Sequence, residues 1–196
     1  MDPSHVRSRH PVRHGRSPGL QGGHAEPPAA VPDADLAPVE LPAALMLEVL
    51  SHAREAYPEE CCGLLLGRRG AAPERVVRCD NVQNRRRARG ESELDATRGF
   101  WIDERQLLRE LQAAEARGDE LLVVYHSHPD AGAYFSRTDV SAALDADGAP
   151  LWPGVAHLVV SVRDGAAREA ALYAFDAASR AFVGRSVRLS GAGAAP

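Results

Sequence analysis

Lysine is absent from this chain. All 23 of its basic residues are arginine, which together with abundant alanine marks a GC-rich genome and carries no mechanism. Cysteine is scarce: Cys61, Cys62 and Cys79 are the 3 present. An odd number with two adjacent excludes a disulfide framework, and no CxxC pair suggests a structural zinc site. No apolar run approaches the roughly 18 residues that a membrane span requires. The N-terminus carries arginine and histidine but no apolar stretch, so a secretory signal is not expected. Excess positive charge is lacking too. With a formal net charge of −4, nothing points to nucleic acid or an anionic membrane as a partner. These absences leave the cytoplasm as the expected location.

What is present has a globular composition, 44% hydrophobic and 26% charged over 196 residues, enough chain for one domain with a sizeable core. Residues 1–38 stand apart. They are rich in Pro, Gly, Arg and His (His5, His10, His14, His24) and nearly lack large apolar groups, so they cannot offset their ordering entropy and read as a disordered extension. The domain proper is expected over residues 39–190, with a short flexible tail at 191–196.

The chain is organised around LLVVYHSHPDAGAYFSRTDVSAALD, from Leu121 to Asp145. Five residues, Leu121 to Tyr125, read as a short buried strand. The strand delivers His126 and His128, which at i and i+2 of an extended segment point the same way. After a turn containing Pro129, Asp130 and Gly132, Ser136 begins a helix carrying Val140, Ala143 and Leu144, and Asp139 lies in its first turn. Two imidazole nitrogens and one carboxylate oxygen form a catalytic zinc set with a position left for water. Each half alone is commonplace, as a buried histidine pair and a near-miss of a capping box. With 8 His, 12 Ser and 13 Asp, the whole pattern HxH-x7-SxxD arises by chance in about one such chain per thousand.

HSHPDAGAYFSRTD resembles the signature of the JAMM (MPN-type) zinc metallopeptidases: a glutamate far upstream, then HxH, seven residues, Ser, two residues, Asp. YPEECCGLLLG, from Tyr57 to Gly67, looks like the family's first strand with its preceding acidic residue. The family's glutamate sits two residues after a proline, which selects Glu60 over Glu59. The likeness runs from Leu41 to Leu189 and is closest to short stand-alone bacterial members. It implies an α/β fold, a three-layer α/β/α sandwich with a mixed sheet, cytidine-deaminase-like.

The remaining elements agree with such a sheet. A helix follows Leu41-Pro42, with Leu45, Val49, Leu50 and Ala53 on one face and His52 as either a surface or a satisfied histidine, and ends at Tyr57-Pro58. Strands are expected at Cys62–Leu66 and Arg75–Asp80. Asn81 to Gly99 reads as a polar loop whose Arg85, Arg86, Arg87 and Arg89 are either solvated or face an acidic partner. Phe100–Ile102 looks like a strand. Asp103 caps a helix bearing Leu107, Leu108, Leu111 and Ala114, and Gly118 stops it. Strands then follow at His157–Val162, Ala170–Phe175 and Phe182–Leu189, with His157 structural and away from the motif.

The resemblance further implies a zinc-dependent peptidase or isopeptidase acting on a ubiquitin-like or sulfur-carrier protein ending in Gly-Gly, with one Zn2+ per domain. Zinc would lie on His126, His128 and Asp139, Glu60 would shuttle the proton from water to the departing nitrogen, and Ser136 would donate to the oxyanion. Rival readings are a non-catalytic MPN scaffold, which typically lacks metal ligands that are all present here, and a RadC-like protein, whose N-terminal part has no counterpart. A zinc deaminase needs the absent HxE…PCxxC pattern. A Cys62–His thiol hydrolase leaves SxxD without a purpose.

Overall fold

The computed structural model describes residues 38–191; all but the last residue of the expected disordered extension, and the last five residues of the chain, lie outside them. The chain runs β1 (Val39–Pro42), α1 (Ala43–Ala56), β2 (Cys62–Gly67), β3 (Arg75–Cys79), α2 (Gln83–Ala88), α3 (Glu104–Arg117), β4 (Glu120–Pro129), α4 (Arg137–Ala143), β5 (Ala156–Arg163), β6 (Ala166–Asp176), β7 (Ala181–Arg185) and β8 (Val187–Ser190).

The apolar run Cys62-Gly-Leu-Leu-Leu becomes a strand buried along its whole length, because helices cover both faces of the sheet. Leu65, with Val123 and Tyr125 of β4, packs on Val49 and Ala53 of α1. Leu64, Leu66 and Val124 face the other way, onto Ala114 of α3. Burying each leucine contributes about 1.5–3 kcal/mol. Behind β5, Phe135 and Ala143 pack on Val159 and Tyr173 in a further cluster beneath α4. Alternation along the strands thus makes a three-layer α/β/α sandwich.

The sheet order is β3-β2-β4-β5-β6-β7. Only β4 and β5 run parallel, Val123 opposite Ala156 through Pro129 opposite Val162; the other pairings are antiparallel, so the sheet is mixed. The chain leaves the carboxyl end of β4 and returns through α4 to β5, and that end of a parallel pair is where a crevice opens. Because β2 is antiparallel to β4, with Cys62 opposite His126, the start of β2 lies at the same end. Gly63 faces Tyr125 at the centre of this pair, where a Cβ would collide with the phenol ring and the Val77 carbonyl.

Local signals set the helix ends. Asp103 accepts from the backbone N–H of Arg105 and Gln106, and Gly118 closes α3 with φ of 77°, a left-handed conformation suited to glycine. His52 has a partner, with Nδ1 at 2.9 Å from the Tyr125 hydroxyl.

Three expectations are corrected. Phe100–Ile102 forms no strand; Ile102 makes one isolated bridge, to Asn81, and Phe100 turns inward instead. Phe182–Leu189 breaks at Ser186 into two strands, the second of which leaves the main sheet to pair in parallel with β1. That pairing joins the two ends of the domain, so no local periodicity announces it. The polar segment 81–99 contains a short helix and is tied together by its own amides: Gln83 donates to Ser92 Oγ and the Leu94 carbonyl, and Asn84 Oδ1 accepts from Ala96.

Candidate active site

The extended conformation of β4 continues through the histidines, so His126 and His128 emerge on one face with their Nε2 atoms 3.1 Å apart. Asp139 completes the group, with Oδ1 3.4 Å from His126 Nε2 and Oδ2 3.5 Å from His128 Nε2. The three ligand atoms lie within 4.8 Å of one another. His128 Nδ1 is 3.0 Å from the Gly132 carbonyl oxygen. A carbonyl only accepts, so Nδ1 carries the proton and the Nε2 lone pair faces the site. His126 is wholly buried, and that burial lowers its pKa, opposed by Asp139. It is therefore neutral, the form that ligates metal. Burial alone would push the Asp139 carboxyl up, but the two imidazoles beside it hold it well below the usual carboxylate range. Two imidazole nitrogens and an ionised oxygen gathered within 4.8 Å of one another fit zinc by chemistry and by placement.

The capping reading and the ligand reading of SxxD coincide. Ser136 Oγ accepts from the Asp139 backbone N–H at 3.2 Å, while Asp139 Oδ2 accepts from the Ser136 N–H at 2.7 Å. This is a complete capping box, with aspartate in the position usually held by glutamate. It also locks the carboxylate toward the histidines, and the Ser136 O–H hydrogen remains available to donate.

Of the two adjacent glutamates, Glu59 is exposed and bonded to Asn84, whereas Glu60 is buried. Burial, then the nearby charge of Asp139, pushes the Glu60 pKa well above its ordinary value, and its Oε2 is buried without a hydrogen-bond partner. Its backbone is pinned from two sides. The Glu60 N–H donates to the Ala96 carbonyl at 2.7 Å, and Asn81 donates to the Glu60 carbonyl at 2.9 Å. One residue on, the Cys61 N–H donates to Ser127 Oγ at 2.8 Å. Ser127, the middle residue of HxH, thus points away from its histidine neighbours and ties the start of β2 to the end of β4.

Several neighbours were not legible in the sequence. Phe100 stacks on His126 at 4.7 Å. His157, expected away from the motif, packs on Phe135 at 4.9 Å, and burial above all lowers its pKa to about 4. It is the second residue of β5, the parallel strand beside β4, where it lies opposite Val124, so pairing rather than sequence proximity brings it near. A cavity of about 330 Å³ between α3 and α4 reaches His126 and Asp139, with Phe100, Trp101, Phe135 and Trp152 in its walls. The cysteines do not join the site. Burial pushes the Cys62 thiol far up, and Cys61 to about 12, so neither is a nucleophile.

The arginine segment borders the same cavity. Arg86 lies over Trp101 at 3.7 Å, Arg87 pairs with Asp95 at 3.2 Å and Arg89 with Glu91 at 2.8 Å. Local acids offset much of the positive charge that the sequence displays. Changing Arg85, Arg87 and Arg89 to Gln is therefore expected to slow capture of an acidic folded protein only about two- to five-fold at low salt, and to flatten its salt dependence. Stopped-flow association across a salt series reads this; unaltered slopes would show the segment to be merely solvated.

Residues 42–173 match the Prok-JAB family, prokaryotic homologs of the JAB domain. The chain is similar to CysO-cysteine peptidase of Mycobacterium tuberculosis, 31% identical over 121 residues that cover 61% of this chain and 70% of the other. It is likewise similar to desampylase of Haloferax volcanii, 31% identical over 117 residues covering 58% of this chain and 73% of the other. A protein from Desulfitobacterium hafniense solved in solution superimposes with a TM-score of 0.59 at 26% identity, over 78% of this chain and 92% of that one.

Proposed function

Since the chain belongs to the Prok-JAB family of prokaryotic homologs of the JAB domain, we propose that it is a zinc-dependent metallopeptidase of JAMM type. Its reaction is hydrolysis of the amide or isopeptide bond at the C-terminal glycine of a ubiquitin-like or sulfur-carrier protein. The observation that carries this reading is a buried His126–His128–Asp139 cluster beside a buried carboxyl, Glu60, that has an unpartnered oxygen. The similarity to a CysO-cysteine peptidase and a desampylase supports the substrate class. A cytoplasmic setting belongs to the same proposal and is supported by three unpaired, buried cysteines; no helix among the described residues is long and apolar enough to cross a membrane.

His126, His128 and Asp139 would hold the ion. When bound, zinc supplies a Lewis acid and brings the pKa of a water toward ~7. Metal alone does not cleave an amide, because the departing nitrogen needs a proton. Glu60, with its raised pKa, suits both halves of that exchange: it takes a proton from the attacking water and returns it to the nitrogen. The Ser136 hydroxyl donates to the oxyanion as the carbonyl becomes tetrahedral. Phe100 and the walls of the apolar cavity exclude water and leave a narrow approach, where glycine lets the substrate backbone come close.

A fusion in which a short tail follows the terminal glycine of a sulfur-carrier protein tests the proposal. The zinc-loaded chain should release the tail with the cut directly after glycine, read by mass spectrometry. No hydrolysis at stoichiometric zinc would overturn it.

Ser136→Ala should retain zinc and turn over about 10²–10³ slower, the cost of one oxyanion donor. It should also lose about 1 kcal/mol of stability as the cap disappears. Loss of stability with unaltered turnover, compared by calorimetry and kinetics, would leave Ser136 a cap only.

A further inference from the structure

A second cavity, of about 540 Å³, is lined by Pro129 to Gly132, the residues that follow His128. Its wall is built from the neighbours of the two central residues. Pro58 lies two positions before Glu60, and Arg98 lies two beyond Ala96, whose carbonyl holds the Glu60 N–H. Gly132, which holds His128 by its carbonyl, and Tyr134, whose ring lies 5.2 Å from that of His128, also line it. Arg163, at the end of β5, closes it. This cavity is therefore a place where a group attached to the reacting amide can sit.

Its charge is unusual. Both arginines are exposed, and among the described residues neither guanidinium has an ion-pair partner. The acid near Arg98, Asp95, is already bonded to Thr97 and to Arg87. The carboxylate in the wall, Asp130, has both oxygens taken, one by the Tyr57 hydroxyl at 2.9 Å and one by the Asp164 N–H at 3.2 Å. Among the lining residues two guanidiniums stand against one carboxylate, a positive balance that attracts an anion, and a guanidinium fork matches a carboxylate.

We propose that this cavity is a carboxylate subsite, in which Arg98 and Arg163 receive the free α-carboxylate of the amino acid being released. The inference rests on the peptidase reading and narrows it. The preferred substrate carries a single amino acid beyond the scissile amide, rather than the side-chain amine of a folded acceptor protein. In the balanced step, water adds to the glycine carbonyl and the C–N bond breaks. The carrier keeps the new carboxylate with the oxygen of the water, and the amino acid departs as its ammonium form, its nitrogen having gained both protons of the water. No oxidant, reductant or co-reactant is needed. One end of the leaving group is then fixed at the arginines while its nitrogen lies near Glu60.

The test uses the full chain and two peptides, one ending Gly-Gly-Ala as the free acid and the other ending as the primary amide. The zinc-loaded protein should cleave the acid with kcat/KM about 10- to 100-fold higher than the amide, the usual effect of charge-assisted hydrogen bonds. In the double variant R98Q/R163Q that ratio should collapse toward one. Binding of both peptides to the Glu60→Gln protein, by calorimetry, should show the same preference and the same collapse without turnover. Equal cleavage of acid and amide with equal binding would overturn the subsite and leave the peptidase reading intact. Preferential binding of the acid with no cleavage of either peptide would keep the subsite and overturn the peptidase reading.

Discussion

His128→Ala should strip the protein of stoichiometric zinc and abolish hydrolysis. Removing one imidazole leaves His126 and Asp139, a nitrogen and an oxygen, short of the three protein ligands that catalytic zinc requires. The loss extends beyond one bond. The Gly132 carbonyl loses the ring N–H that it holds at 3.0 Å, and the Asp139 carboxylate loses one of the two imidazoles that keep it well below the usual range. The measurement is metal content per chain, on protein beginning at Leu36, so that the four histidines of the preceding segment cannot contribute ligands. Retention of one zinc per chain by that variant would show the site to be wrongly assigned.

Glu60→Gln should keep zinc and fold while losing about 10²–10⁴ in rate, the usual contribution of a general acid–base. The amide preserves shape and burial but can neither take nor return a proton. Glu59→Gln is the control: exposed, with its carboxylate accepting from Asn84, it should change stability by less than about 0.5 kcal/mol and leave turnover near wild type. Swapped outcomes would mean that Glu59 supplies the proton; small, equal losses would favour a scaffold.

Glu60 also makes a stability prediction whose sign follows from its burial. Its pKa in the fold is raised well above the ordinary 4.5. Below 4.5 the group is protonated in folded and unfolded chains alike, and burial of its charge costs nothing. As pH rises from there toward the folded-state value, the unfolded chain ionises more readily and the fold loses stability. Metal-free Glu60→Gln should therefore melt higher than wild type at neutral pH, with the gain fading as pH falls below 4.5. A gain independent of pH, in thermal melts across that range, would contradict the assignment. A residue that acts in catalysis at the expense of the fold is the expected pattern.

Much of this site was legible because its parts obey short-range rules. Period two along a strand puts His126 and His128 on one face, and the three-residue reach of a helix cap puts Asp139 against Ser136. The same holds for the Asp103 and Gly118 caps of α3 and for the buried leucines of β2. These relations involve neighbours in the chain, so residue type and spacing are enough to read them. Tertiary structure decided what depends on strands meeting. Antiparallel pairing of β2 with β4 brings Glu60 to the histidines and leaves Glu59 in solvent. Parallel pairing of β5 with β4 places His157 behind the site and Arg163 at its edge, and closure of β1 on β8 joins the two ends of the domain. Composition showed a polar stretch dense in arginine, yet folding set Glu91 and Asp95 against Arg86, Arg87 and Arg89, while among the described residues Arg98 and Arg163 have no ion-pair partner. Charge in a sequence is a sum over neighbours, whereas charge at a site is what remains after distant groups have paired.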